Sequence, residues 1–268
     1  SPCHMGAWTK SVLGWADITT VAPGSDLSVL TLDPVETGGR IYRVDGIDGS
    51  GEYFLLENRQ RLGFDQNLLG EGLLVWHIDP DWVSSHWSHV NATQHRGVWL
   101  RQADGRDDLG EAGGSRGDSG DPFPYVGDEG VNDVFHAGSL PAATSVLGTA
   151  TGLTLLDIMA VGDQVQMRLV NRFTSVTLTT DGGSGSGGLF TVDGVSLVPE
   201  NDFFTAAPFD VRSVEAARGL GIEPGVRRPF LGWADDATAA ISRDFVVPLD
   251  DTGLVAEYSG RELELALT

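Results

Sequence analysis

The chain has 268 residues, 41% of them hydrophobic, and its formal net charge is −21 at pH 7. This length and apolar content suit one large globular domain or two smaller ones. The 38 acidic and 17 basic residues exclude nucleic acid as a partner, because phosphate binding needs clustered cations. No apolar run approaches the roughly 18 residues that a membrane span needs, so we expect a protein that is not transmembrane.

The first predicted element is a short helix within residues 7–15. The residues that can share one of its faces are Ala7, Trp8, Ser11 and Val12. Gly14 can end the helix, which is too short to be stable alone. The apolar side chains of this segment are Trp8, Val12, Leu13 and Trp15. We expect residues 1–17 to pack on the β domain, on an upstream fragment or on another copy of the chain, because this apolar group is large.

Short runs of β-branched and aromatic residues follow, separated by glycine, proline and aspartate. They occupy residues 26–32, 40–44, 52–59, 72–79 and 97–104. Residues 152–170 predict two further strands around a turn at 161–163. These runs predict an antiparallel β domain over residues 1–170.

A second domain is predicted over residues 171–268. Residues 174–180 alternate as a strand, the glycine- and serine-rich stretch 181–188 follows, and residues 189–194 are expected to return as the hairpin partner. Later strands recur about every ten residues, a spacing typical of a small β-sandwich. The predicted fold is therefore all-β in both domains, with one short N-terminal helix.

The histidines give only a weak signal for a metal site. His86 and His89 are three residues apart and lie near His77, Asp79 and Asp81, but their segment is typical of a loop. His77 lies inside an apolar strand, where a buried, hydrogen-bonded histidine is the favoured interpretation. Neither a P-loop nor an H-E-x-x-H motif is present.

The stretch "RGDSGDPFPYVGDEG", residues 116–130, concentrates aspartates and glycines. An adhesion tripeptide matches by letters only, and a linker would lack the apolar anchors at 122–125. Two interpretations remain: a calcium site, or a solvated acidic turn closed by arginines. The arginines concerned are Arg101, Arg106 and Arg116.

We predict structural calcium here, because calcium takes six to eight oxygen ligands and tolerates flexible, carboxylate-rich loops. The candidate ligands are Asp104, Asp107, Asp118, Asp121, Asp128 and Asp133. Asp118 and Asp121 are the strongest of these, because they share one tight turn.

Four stretches, in this order, resemble the downstream part of the immune-inhibitor-A-like family of secreted bacterial zinc metalloproteases. They are "SPCHMGAWTKSVLGW", "GEYFLLENRQRLGFDQNLLGEGLLVWHID", "NATQHRGVWLRQADGRDDL" and "RGDSGDPFP". The positions that match the first family segment are Pro2, His4, Ala7, Trp8, Lys10, Leu13, Gly14 and Trp15. The resemblance covers about residues 1–170, and the "GDSGDPF" spacing around Asp118 and Asp121 also matches it.

The resemblance implies that the zinc ligands and the general base lie upstream of this segment, so any zinc belongs to that upstream part. No catalytic role passes to a residue of this chain, and we expect the chain alone to have no peptidase activity. The second domain resembles small bacterial extracellular repeat modules. The residues that carry this second resemblance are Phe230, Gly232, Trp233, Asp235, Ala256, Glu257 and Tyr258. Phe230 and Trp233 are expected to be core anchors rather than a ligand platform.

The expected function is that of the non-catalytic C-terminal portion of a secreted metalloprotease-like protein, located outside the cell or at its surface. It would support the protease fold and add an accessory module that could bind a protein or a cell-surface ligand. The alternative is an extracellular structural or adhesive protein, able to form polymers, that lacks enzymatic activity.

Overall fold

The structure is a computed structural model that describes residues 3–110, 116–127, 130–181, 189–197, 203–223, 226–258 and 262–263. Internal contacts divide the chain into two compact units, Ser1–Arg172 and Phe173–Thr268. Each unit has its own hydrophobic core. In the described residues, no helix has the length and apolar character that crossing a membrane requires.

The first unit is built mainly from strands. These are β1 (Ile18–Val21), β2 (Ser25–Leu32), β3 (Ile41–Asp45), β4 (Tyr53–Arg59), β5 (Gly72–Ile78), β6 (Val98–Arg101), β7 (Tyr125–Gly127), β8 (Gly130–Asn132), β9 (Leu153–Val161) and β10 (Gln164–Asn171). Its described helices are α1 (Ala7–Val12) and α2 (Pro80–Ser85), with 3₁₀ turns at Val35–Thr37, Gly63–Asp65 and Asp108–Gly110. One sheet has the order β1-β3-β4-β5-β6, a second has the order β2-β10-β9, and β7 pairs with β8. Apart from the parallel pair β1–β3, all these pairs are antiparallel.

The five-stranded sheet is buried on both faces. On one face, Phe54 of β4 joins the large core with residues of the three-stranded sheet such as Leu32 and Leu155. On the other face, Leu55 packs in a smaller cluster with Ala7 of α1. Because successive side chains of a strand point to opposite faces, β4 has no solvent-facing side. Polar residues near its end are consequently held inside the protein.

Helix α1 packs on this sheet, but with a different face from the predicted one. Ala7 and Lys10 are buried, whereas Val12 is 46% exposed. The helix presents this face to the sheet because Glu57 of β4 binds it. Glu57 accepts a hydrogen bond from Ala7 N (3.1 Å) and forms an ion pair with Lys10. Gly14 has φ of +68°, a left-handed conformation that favours glycine after a helix end.

The second unit is a sandwich of two sheets. Its strands are β11 (Thr174–Thr180), β12 (Phe190–Val192), β13 (Val195–Ser196), β14 (Phe203–Ala206), β15 (Val211–Ala216), β16 (Gly219–Glu223), β17 (Val226–Trp233), β18 (Ser242–Val246), β19 (Thr252–Tyr258) and β20 (Glu262–Leu263). One sheet has the order β14-β11-β19-β17-β16 with β20 beside β17, and the other has the order β13-β12-β15-β18. Leu178 of one sheet and Phe190 of the other meet in the core around the fully buried Trp233.

The all-β prediction is confirmed. The predicted hairpin between residues 174–180 and 189–194 is wrong, because β11 pairs with β14 and β19, while β12 pairs with β13 and β15. The apolar faces of β11 and β12 contribute to the same core from opposite sheets. β11 and β12 are therefore related by side-chain packing between the two sheets and not by backbone hydrogen bonds to each other.

Candidate functional site

The acidic loop that contains Asp118 and Asp121 is anchored to the first unit. Phe123 is fully buried and exchanges two backbone hydrogen bonds of 2.9 Å with Leu73 of β5. Asp104 N donates to Gly120 O at 3.0 Å. Phe123 is therefore a buried apolar anchor of the described part of this loop. Further along the same stretch, Tyr125–Gly127 forms β7.

Three of the predicted calcium ligands adjoin in this loop. A Cβ atom on Gly120 would lie 3.0 Å from Oδ2 of Asp104 and 3.0 Å from Oδ1 of Asp118, so both carboxylates flank this glycine. Asp121 Oδ2 accepts a hydrogen bond of 2.8 Å from Asp118 N. The turn around Gly120 therefore concentrates negative charge.

The other three predicted ligands have different surroundings. The carboxylate of Asp107 accepts hydrogen bonds from Arg96 and from Trp99 Nε1. Asp133 follows β8, and its backbone carbonyl accepts a hydrogen bond from β9. Asp128 lies outside the described residues. Within the described part of the chain, no group of three or more His, Cys, Asp or Glu side chains is arranged to hold a metal ion.

Sequence reasoning missed two residues that complete this site. Gln102 Nε2 donates hydrogen bonds of 2.6 Å to both Asp121 Oδ1 and Asp108 Oδ1. Burial raises the pKa of Asp121, against the lowering effect of hydrogen bonds from Asp118 and Gln102. The acidic run that contains Asp108 was the available signal in the sequence.

Calcium binding at this turn stays a prediction, and thermal unfolding tests it. Added calcium should raise the melting temperature, and the half-saturating calcium concentration should increase in Asp118→Ala and Asp121→Ala, because each variant removes a carboxylate. Asp244→Ala, an exposed aspartate of the second unit, is the matched control. A melting temperature that responds neither to calcium nor to a chelator would contradict the prediction.

His77 is a buried, hydrogen-bonded histidine, as the sequence interpretation favoured. The side chain is 1% exposed, with Nε2 at 2.6 Å from Glu52 Oε2 and Nδ1 at 3.0 Å from an Arg101 nitrogen. Desolvation lowers the pKa of His77, although the hydrogen bond to Glu52 acts in the opposite direction. Arg101 also donates to Thr144 O at 3.0 Å. This network joins β5 and β6 to the chain that precedes β9.

Two other histidines, His86 and His95, stack on Trp82 of α2, and His89 adjoins His86. The Trp82 ring lies 3.7 Å from the His86 ring and 4.0 Å from the His95 ring between centroids. His95 Nε2 lies 2.8 Å from Asp79 Oδ2. The ring of His89 contacts that of His86 edge to face. These contacts organise the loop that follows α2 through aromatic packing.

A second polar site, which we call the N-terminal clamp, lies beneath α1. It consists of Lys10, Glu36, Glu57, Arg59 and Asp65, whose side chains are all at most 10% exposed. Arg59 is its centre and donates to Asp65 Oδ2 from Nε at 3.1 Å and from a terminal nitrogen at 2.6 Å. These buried charges therefore join α1 and β4 to the 3₁₀ turns at Val35–Thr37 and Gly63–Asp65.

The clamp holds the backbone of the N-terminal segment. His4 N donates to Asp65 Oδ1 at 2.8 Å, and Arg59 donates to His4 O at 2.7 Å. Glu57 Oε1 accepts hydrogen bonds from Ala7 N and from Trp76 Nε1. Sequence reasoning missed this site, because isolated charges at the end of a strand are more often on the surface.

Glu36 gives the clamp a pH dependence. Burial, together with hydrogen bonding to Asp65, raises the pKa of Glu36 from 4.5 to about 7. Between these values the native protein holds a proton that the unfolded chain releases, so this group's contribution to stability decreases as the pH rises from about 4.5 to about 7.

We expect Glu36→Gln to remove this decrease and to increase the free energy of unfolding above pH 7 by about 1–3 kcal/mol. Glutamine mimics the protonated carboxyl and can donate to Asp65 at every pH. Denaturant unfolding across the window measures the effect, with Glu215→Gln, at an exposed site, as the control. If the free energy of unfolding changed with pH in the same way in the wild type and in Glu36→Gln, the prediction would be contradicted.

Comparison of the chain with protein-family models, with curated proteins and with solved structures found no match.

Proposed function

We propose that this chain is the non-catalytic C-terminal portion of a secreted metalloprotease-like protein. In this proposal the first unit supports the protease fold, and the second unit is an extracellular accessory module. The zinc ligands and the general base belong to the upstream part, and calcium is a structural ion of the acidic loop. No residue of this chain has a catalytic role.

One observation carries the proposal: the attachment of the segment that the resemblance places directly after the catalytic part. Two of the family-like stretches meet at the N-terminal clamp, where Glu57 and Asp65 of one stretch bind the backbone of Ala7 and His4 of the other. A segment fixed by buried charges is suited to connect a catalytic part to the β unit.

The exposed apolar side chains of this segment support a partner for it. Trp15 is 69% exposed and the neighbouring Phe64 is 64% exposed, while Val12 and Leu13 are about half exposed. Exposed groups of large apolar side chains mark interaction surfaces. In the proposal, the upstream catalytic fragment covers this surface, and another copy of the chain is the alternative occupant.

A specific feature of the second unit favours the alternative function, an extracellular structural or adhesive protein. Val211 of β15 lies directly opposite Val246 of β18, and both side chains are more than half exposed. Paired valines on a sheet face offer a surface for self-association or for a protein ligand.

The test is the coding sequence upstream of Ser1, read together with mass spectrometry of the native N-terminus. An upstream H-E-x-x-H motif in the same reading frame supports the protease-like function. Its absence, or assembly of the purified chain into ordered polymers, supports the structural alternative. Zinc-dependent cleavage of a denatured protein by the purified 268-residue chain would contradict both.

A further inference from the structure

A cavity of about 350 Å³ lies beside β6, the edge strand of the five-stranded sheet. Its lining comes from three short segments, residues 99–102, 105–107 and 140–142. The aliphatic members of this lining are Leu100, Leu140, Pro141 and Ala142. The volume falls within the range of about 300–1,000 Å³ that ligand pockets occupy, so the cavity can receive a small apolar group.

Arg101 brings a buried positive charge to this cavity. The residue is 8% exposed, and one terminal nitrogen donates to His77 Nδ1 and to Thr144 O, both at 3.0 Å. Neither its Nε nor its other terminal nitrogen donates a hydrogen bond to any described residue, and of these two only Nε is fully enclosed. The other terminal nitrogen, Nη1, is therefore a donor that a ligand in the cavity can reach.

The charge of Arg101 is balanced only at a distance. Because a guanidinium can only donate, His77 Nδ1 accepts, so His77 Nε2 carries the ring proton and donates to Glu52 Oε2 at 2.6 Å. Among the described residues, no carboxylate forms an ion pair directly with Arg101. Burial lowers the pKa of Arg101 from 12.5 to about 10, so the guanidinium stays charged at neutral pH. An anionic ligand would consequently be the first anion to contact it.

Trp99 holds the guanidinium in place. Cζ of Arg101 lies 3.9 Å from the centroid of the Trp99 ring, a favourable cation–π contact. The ring is itself fixed, because Trp99 Nε1 donates to Asp107 Oδ1 at 3.1 Å. A guanidinium that is already oriented loses little conformational freedom when it binds a carboxylate.

The exposed part of the lining adds a second positive charge. The Arg106 side chain is 69% exposed, and its Nε lies 3.8 Å from Asp104 Oδ2, too far for a hydrogen bond. Asp107, the acidic residue of the lining, is paired with Arg96. An anion at this cavity would therefore meet two guanidinium groups, while the neighbouring carboxylate is already compensated.

We propose that this cavity binds a small carboxylate with an apolar body, such as an arylalkanoic acid. The carboxylate accepts a hydrogen bond from Arg101 and is attracted by Arg106, and the apolar body packs against Trp99 and Leu140. Inorganic phosphate has the charge but would leave the aliphatic lining uncovered. This inference goes beyond the proposed function, since it requires neither an upstream fragment nor calcium in the acidic loop.

The test uses 2-naphthylacetate, its primary amide, and acetate, which lacks the apolar body. Isothermal titration calorimetry should give a Kd for the acid at least about tenfold lower than for the amide, because the amide cannot form the charge-assisted hydrogen bond. Acetate should bind at least about tenfold more weakly than the acid, and the indole N–H resonance of Trp99 should shift saturably with the acid. Equal Kd values for acid and amide, no saturation below about 1 mM acid, or displacement of the acid by equimolar phosphate would overturn the proposal.

Variants separate the charged contact from the apolar one. Arg101→Met should abolish the difference between acid and amide, whereas Leu140→Ala should weaken both several-fold. Leu140 is 74% exposed, so its variant stays informative even if Arg101→Met fails to fold. Leu147→Ala, at a site that is 91% exposed and outside the lining, should bind like the wild type. Unchanged binding in Leu140→Ala, or a preference for the acid that persists in folded Arg101→Met, would overturn the assignment of this cavity.

Discussion

Arg59→Met is expected to decrease the free energy of unfolding of the first unit by about 3–5 kcal/mol, the range for removing one partner of a buried ion pair. The guanidinium of Arg59 donates two hydrogen bonds to Asp65 and one to His4 O. Methionine has a similar length but no charge, so the Asp65 carboxylate would stay buried with its main partner removed. Chemical denaturation and hydrogen exchange at β4 and α1 measure the loss.

An exposed ion pair provides the control. Arg40 and Asp17 are separated by 3.0 Å, and both side chains are more than 60% exposed. Arg40→Met should change the free energy of unfolding by less than about 1 kcal/mol, because solvent screens such pairs. If Arg59→Met and Arg40→Met had similar effects, the clamp would not be a significant source of stability.

Trp233→Ala is expected to destabilise the second unit by about 3–5 kcal/mol, the usual cost of deleting a fully buried large aromatic side chain. Its indole is fully buried, packs against Phe190 and Phe230, and donates from Nε1 to Ala240 O at 3.0 Å. Alanine would leave a cavity in the core and would remove the hydrogen bond to Ala240 O. Hydrogen exchange of the amides of β11, β17 and β19 reports the change.

Leu231 is the matched control on the same strand. It lies two residues from Trp233 and is 64% exposed, so Leu231→Ala should have a small effect on stability. The comparison also tests the sequence interpretation of Trp233 as a core anchor. A stable Trp233→Ala variant that lost binding to a ligand would instead indicate a ligand platform.

The strands of the first unit were predictable because their signal is local. Runs such as residues 52–59 and 72–79 carry β-branched or aromatic residues and are bounded by turn residues, and β4 and β5 form there. Which strands pair with each other is not determined by the local sequence. The pairing of β11 with β14 and β19 depends on which sheet each strand joins, and proximity in sequence favoured the wrong hairpin.

The partners of the acidic side chains could not be predicted from the sequence, because they depend on the direction in which each side chain points. Asp107 and Asp108 are neighbours, yet Asp107 is held by Arg96 and Trp99, while Asp108 shares Gln102 with Asp121. The N-terminal clamp was missed for a related reason. Its charges become buried only when α1 covers the end of β4, and this packing joins residues about fifty positions apart.

The burial of Lys10 has a practical consequence for studying how this protein assembles. Apart from the α-amino group of the chain, the ammonium of Lys10 is its one primary amine, and that group is enclosed beneath α1. Amine-directed cross-linkers and amine coupling to sensor chips would consequently find almost no reactive point on the folded surface. Carboxyl-directed reagents suit the molecule much better, since 38 aspartates and glutamates are distributed along the chain.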